Sequence, residues 1–136
     1  MNEELIRITV DKEKAKSILR MVETTLGMIE TINIQKFPSN VTKEYYEVLR
    51  ELMTIILLLD GYKTYGEGAH KKLIEYLEMN YKDFTRAELI FLDDLRITRN
   101  KIAYDGFFVT IDYIEQSQGK AGKIIEKLRK IIQKKI

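Results

Sequence analysis

The segment from Val41 to Asp60 constrains the fold more than any other stretch of the chain. Its second half, Leu52 to Leu59, is apolar at every position except Thr54. A helix that is apolar nearly all round must be enclosed on several sides, and this run is far shorter than the ~20 residues a membrane-spanning helix needs. The pattern predicts a central core helix with others packed around it. Pro38 breaks the preceding segment, and Ser39 or Asn40 is placed to cap the helix that follows.

The other helices are marked by periodicity and punctuation. Ala15, Ile18, Leu19, Val22, Leu26, Ile29 and Ile32 recur at helical spacing behind Asp11, a side chain suited to capping. Gly61, Gly66 and Gly68 make the next stretch a turn or loop, followed by a shorter helix from about Ala69 to Met79 that buries Leu73, Ile74 and Leu77. Thr85-Arg86-Ala87-Glu88 has the spacing of a capping box, and Gly106 is placed to end the helix it starts. Thr110 caps a last helix whose stripe runs from Ile111 and Ile114 through Ala121, Ile124, Ile125 and Leu128 to Ile131 and Ile132. Gly119 and Gly122 interrupt it at about 1 kcal/mol each relative to alanine, which predicts a kink or a close backbone contact. No strand signal exceeds Phe107-Phe108-Val109. The expected fold is all-α: an antiparallel bundle of about five helices forming a single domain over residues 1–136.

Composition narrows the chemistry. The chain has no cysteine, so disulfides, thiolate metal sites and cysteine nucleophiles are excluded together. His70 is the only histidine, and one imidazole falls short of the ligand set a transition metal ordinarily takes. Asp60, Asp93 and Asp94 supply carboxylates without a magnesium motif. Gly66-x-Gly68 precedes a helix but lacks the strand before it and the Lys-Ser/Thr pair of a phosphate-binding loop. No cofactor or metal is therefore expected. The start, Met1-Asn2-Glu3-Glu4, is acidic and has no apolar stretch behind it, so no secretory signal is read and a cytoplasmic location without membrane association is expected. Net charge is only +2, but Lys120, Lys123, Lys127, Arg129, Lys130, Lys134 and Lys135 crowd the last segment. They form either a polyanion-attracting face or a solvated helix surface that complements a helix C-terminus.

One constellation reads as chemistry. Arg99-Asn100, followed by Tyr104, offers a permanently charged planar fork, an amide and a phenol, a set able to grip a phosphodiester. A tyrosine phenol ordinarily titrates near ~10, so the trio is better suited to binding than to proton transfer at neutral pH. Asp93, Arg96 and Asn100 share one helix face at spacings of three and four. Arg99 and Tyr104 lie about 140° apart on an ideal helix, so they are predicted to converge only if the helix unwinds near Ala103 or a second subunit completes the site. The alternative is an Asp93–Arg96 surface pair, an Arg99 stem covering apolar surface and a Tyr104 in the core.

The run Leu95-Arg96-Ile97-Thr98-Arg99-Asn100-Lys101-Ile102-Ala103-Tyr104 resembles the HEPN family of small helical proteins, and the likeness extends over most of the chain, including Gly61-Tyr62-Lys63, Gly66-Glu67-Gly68-Ala69-His70 and Leu73 to Leu77. The resemblance implies a helical bundle that dimerises. It also implies a metal-independent ribonuclease or RNA binder of a toxin–antitoxin or defence system, often beside a minimal nucleotidyltransferase. The family signature is an arginine, a polar residue and a histidine four to six residues beyond the arginine. Arg99 and Asn100 match, but Tyr104 stands at the histidine position. The resemblance implies charge stabilisation at the phosphate for Arg99; Arg96 and Asn100 are read as completing the phosphate grip. The histidine role does not carry over, and proton transfer is expected to fall instead to His70, entering from the third helix, or to Tyr104. A homodimer that engages RNA is one expectation. A non-catalytic interaction module that pairs with a nucleotidyltransferase is the other.

Overall fold

The computed structural model describes residues 4–136; the acidic start Met1-Asn2-Glu3 lies outside the described residues. The chain forms β1 (Leu5–Arg7), α1 (Lys12–Glu30), α2 (Pro38–Asp60), β2 (Tyr62–Thr64), α3 (Ala69–Asn80), α4 (Arg86–Asp105) and α5 (Ile111–Lys135). Helix α2 is the centre. Helices α1 and α5 each lie along it, while α3 and α4 pack on it and on each other. Tyr46, Leu49, Leu52, Met53, Ile55, Ile56 and Leu57 of α2 are fully enclosed, and each apolar side chain so buried contributes about 1.5–3 kcal/mol. One core draws on all five helices, as the circumferential apolar pattern requires.

Local signals account for most boundaries. Asp11 accepts from the Lys14 amide at 3.0 Å, and Thr110 caps α5 through the Tyr113 amide at 3.1 Å. The capping box is reciprocal: Thr85 Oγ1 accepts from the Glu88 amide and Glu88 accepts from the Thr85 amide. Gly106, at φ +65°, takes the left-handed conformation that ends α4.

Three expectations need correction. Helix α2 begins at Pro38, whose fixed φ and missing N–H suit a first helical position. Ser39, read as a cap, instead accepts from the Val109 amide at 2.9 Å in a buried bond that ties α2 to the α4–α5 connection. The five-helix bundle is as expected, but it carries one small two-stranded sheet. Tyr62–Thr64, read as loop, pairs antiparallel with Leu5–Arg7, and Gly61, at φ +89°, turns the chain out of α2 where an added Cβ would lie 3.3 Å from the Ile8 carbonyl oxygen. Finally, α5 is continuous, and an added Cβ would meet nothing within 4 Å at Gly119 or Gly122. No contact explains these two glycines.

The far end of α2 is fastened electrostatically. Asp60 sits where the helix dipole disfavours an anion, yet its carboxylate accepts from the Tyr76 and Tyr81 hydroxyls at 2.8 and 2.6 Å and from Lys135 Nζ at 2.6 Å. Partial burial opposes ionisation, but these donors outweigh it and hold the carboxyl below its usual range. The same contacts join α3 and the last turn of α5 to α2.

Candidate functional site

The residues singled out on α4 split into a paired and an unpaired arginine. Arg96 Nε donates to Asp93 Oδ1 at 2.9 Å, one turn earlier. Arg99 has no carboxylate partner among the described residues. Its Nη1 donates to the neutral Asn100 Oδ1 at 3.2 Å, which orients the guanidinium without cancelling its charge. The charge stays available to a ligand.

Arg99 and Tyr104 do converge, but not by the predicted route. Helix α4 runs intact to Asp105, and the guanidinium carbon lies 5.9 Å from the Tyr104 ring centroid and 6.0 Å from that of Tyr46. The 140° separation fixes where the Cα–Cβ bonds point; a long arginine stem spans the remaining arc. Tyr104 is 76% exposed, so it is no core residue. The guanidinium thus bridges an inner aromatic ring and an outer one, each within cation–π range.

Tyr46 is the residue that sequence reasoning missed. It is enclosed in α2, and its hydroxyl has no hydrogen-bond partner. Burial pushes the phenol up to about 12, against the lowering influence of Arg96, Arg50 and Arg99. The His70 ring lies 6.2 Å away at a tilt of 48°. Burial lowers the His70 pKa from its ordinary 6.5, and the charges of Arg50, Arg99 and Arg96 lower it further against the opposing Glu47. His70 is therefore neutral at physiological pH, with a free ring nitrogen able to accept a proton. Glu47 and Arg50 form a bidentate pair on α2; despite burial, Arg50 keeps the Glu47 carboxyl below its usual range. Arg50 itself was a legible signal, because a cation on a helix packed from several sides needs a partner or a purpose.

The structure therefore links these residues in a chain: Tyr104 and Asn100 touch Arg99, Arg99 reaches the enclosed Tyr46 of α2, and Tyr46 neighbours His70 of α3, with Arg50 and Arg96 close enough to act on both rings. Chemically the group offers a free guanidinium, an amide, an exposed aromatic face and a neutral imidazole. The other carboxylates named from sequence lie elsewhere or are committed: Asp60 to its three donors and Asp93 to Arg96. Among the described residues no three His, Asp or Glu side chains group as metal ligands, and no helix is long and apolar enough to cross a membrane. The lysines of α5 are partly spent on structure, Lys127 on Glu88 and the Asp83 carbonyl and Lys135 on Asp60.

A line of exposed apolar side chains runs along α4 beside this group. Ile90, Ile97 and Tyr104 follow one another at intervals of seven, and Phe107 and Phe108, just past the helix end, are exposed as well. Such a stripe faces solvent at a free-energy cost that burial against another surface would recover. No family model, curated protein sequence or solved structure matches the chain.

Proposed function

We propose that this is a HEPN-like, RNA-directed protein in which Arg99 holds a phosphodiester of single-stranded RNA. The observation that carries this reading is an arginine without a carboxylate partner, oriented by Asn100 and set against the exposed ring of Tyr104. A backbone phosphate satisfies the guanidinium fork while an adjacent base stacks on Tyr104, the usual division of labour in single-strand binding. Arg96, though paired, adds positive potential on the same face.

The group also suits metal-independent cleavage. His70, neutral and unprotonated, accepts the proton of a ribose 2′-hydroxyl; that oxygen attacks the neighbouring phosphorus, the bond to the 5′-oxygen breaks, and the Tyr104 phenol protonates the leaving oxygen. The products are a 2′,3′-cyclic phosphate and a 5′-hydroxyl end. Arg99 offsets the charge that grows on the phosphoryl oxygens. The exposed stripe Ile90–Ile97–Tyr104 supports a homodimer along α4, which would bring two such groups together. The very exposed Phe108, at 82%, equally supports a second reading: a module docked on a partner such as a minimal nucleotidyltransferase, its motif serving as framework.

The test is an RNA cleavage and binding assay with a chelator present. The ribonuclease reading predicts that His70→Ala and Tyr104→Phe each slow cleavage while leaving binding within a few-fold, and that Arg99→Ala weakens both. Cleavage indifferent to both His70 and Tyr104 discards the catalytic roles. Wild-type protein that neither binds nor cleaves RNA, but co-purifies with a nucleotidyltransferase, replaces the first reading with the second.

A further inference from the structure

His70 also lines a cavity of about 250 Å³, together with Lys14, Arg50, Thr54, Lys63 and Thr64 and the apolar Leu57, Ala69 and Leu73. We propose that this cavity binds a phosphomonoester, the terminal phosphate of an RNA strand or that of a free mononucleotide. Its basic side chains come from four elements, α1, α2, β2 and α3, which have no reason to converge on one hollow unless something balances them. No carboxylate lines it. Lys14 Nζ and Lys63 Nζ pair with nothing among the described residues. Arg50 turns Nε and Nη2 to Glu47, which leaves Nη1 unengaged.

Two carboxylates close to the cavity's residues do not line it. Glu47 belongs to Arg50, and the Glu4 carboxylate lies against Gly68, where an added Cβ would meet it, rather than in the cavity wall. Two lysines and a half-committed arginine around one small space repel one another when it is empty, and the neutral His70 beside them offers nothing to offset that charge. A doubly charged tetrahedral anion relieves that repulsion, and donors arriving from four directions match its oxygens. Thr64 adds a hydroxyl. Helix α3 begins along the same wall at Ala69 and His70, but its N-cap Gly68 already faces the Glu4 carboxylate, so the cavity's attraction for an anion comes from its side chains. The volume limits the guest: ordinary small-molecule pockets span about 300–1,000 Å³, so this one takes a phosphate and little more than its sugar. The site shares His70 and Arg50 with the Arg99 group. Its RNA source rests on the function proposed above; its capacity for free phosphate does not.

The experiment measures binding of inorganic phosphate, 5′-AMP and a short oligoribonucleotide carrying either a 5′-phosphate or a 5′-hydroxyl, using wild-type protein, the surface double variant Lys14→Gln/Lys63→Gln, and Arg99→Ala. Both lysines are exposed, and a thermal melt checks that the double variant folds. Phosphate and 5′-AMP are expected to bind wild type and Arg99→Ala alike, and at least tenfold more weakly to the double variant. If the RNA end is the guest, the 5′-phosphate improves oligonucleotide binding about tenfold in wild type and not in the double variant. If the mononucleotide is the guest, 5′-AMP binds while the oligonucleotide is indifferent to its end. Phosphate and 5′-AMP that bind wild type and double variant equally, or bind neither, overturn the proposal. Oligonucleotide binding unchanged in Arg99→Ala counts against the RNA reading alone and leaves the cavity standing.

Discussion

Two cavities of about 250 Å³ flank α3, and they differ in charge rather than in size. The one toward α1 and β2 is lined by Lys14, Arg50, Lys63 and His70, whereas the one toward α4 is lined by Glu75, Glu78, Asp93 and Asp94 with Lys71 and Arg86. In the second, three of the four carboxylates are paired: Glu75 with Lys72 at 3.2 Å, Glu78 with Arg86 at 3.3 Å and Asp93 with Arg96 at 2.9 Å. In the first, only Arg50 has a carboxylate. A hollow whose charges are mostly paired is a packing seam with a solvated rim. A hollow whose charges await a partner is a binding site in the making.

The short helix between them makes the difference. Lys71, Ile74, Glu75 and Glu78 follow the spacing of one helical stripe, and Ala69, His70 and Leu73 occupy the other side. Leu73→Ala and Ile74→Ala therefore cut the walls of different cavities from one element. Each is expected to cost about 2–5 kcal/mol in chemical denaturation, the usual range for truncating a buried aliphatic side chain. Only Leu73→Ala should also change phosphate affinity. Equal loss of phosphate binding in both variants would mean that α3 as a whole, not one of its faces, governs the site.

Charge reversal is the next largest effect. Lys63→Glu places an anion in the basic cavity and should weaken phosphate and RNA binding about tenfold or more, roughly one lost charge-assisted contact of 1.5–3 kcal/mol. Lys71→Glu, in the acidic cavity, should change either affinity less than twofold. Equivalent effects would reduce the contrast to long-range electrostatics, and raising the salt concentration would then erase both.

The single histidine reports on the basic side without ambiguity. Its imidazole should titrate below 6.5 in nuclear magnetic resonance, and saturating phosphate should raise that midpoint by placing an anion beside the ring. The sign for stability follows. Because folding lowers this pKa, the unfolded chain binds the extra proton first, so the His70 contribution is complete above about pH 6.5 and is lost as pH falls from there to the folded value. His70→Gln should flatten that part of the pH–stability curve. The smallest expected effect belongs to Tyr46→Phe: removing a buried hydroxyl that has no partner should leave stability unchanged or raise it by up to about 1 kcal/mol, read by denaturant midpoint. A loss above that would reveal a hydrogen bond made through an ordered water.

Much of this arrangement was legible in the sequence where the signal is local. The capping box at Thr85 and Glu88, the caps at Asp11 and Thr110, and the apolar circumference of α2 each depend on neighbours within one or two turns. The β1–β2 pair was not legible, because three-residue strands joining Leu5–Arg7 to Tyr62–Thr64 carry too little alternation to show a period and depend on a distant partner. The meeting of Arg99 with Tyr104 was misjudged for a different reason. An ideal-helix angle describes where side chains leave the backbone, not where a flexible guanidinium ends. His70 was found as the one histidine, but the setting that lowers its pKa is burial within the bundle, followed by the charges of Arg50 and Arg99 on other helices, and none of this is local in sequence.

The central claim is that Arg99 presents an uncancelled charge to a nucleic-acid strand. It is tested most directly by the salt dependence of single-stranded RNA binding for wild type and Arg99→Ala. The account predicts that wild-type affinity falls as salt rises, and that Arg99→Ala binds about tenfold more weakly at low salt with a log–log slope shallower by about 0.7, the share of one phosphate contact on a single strand. Superimposable curves for the two proteins, in affinity and in slope, would contradict it.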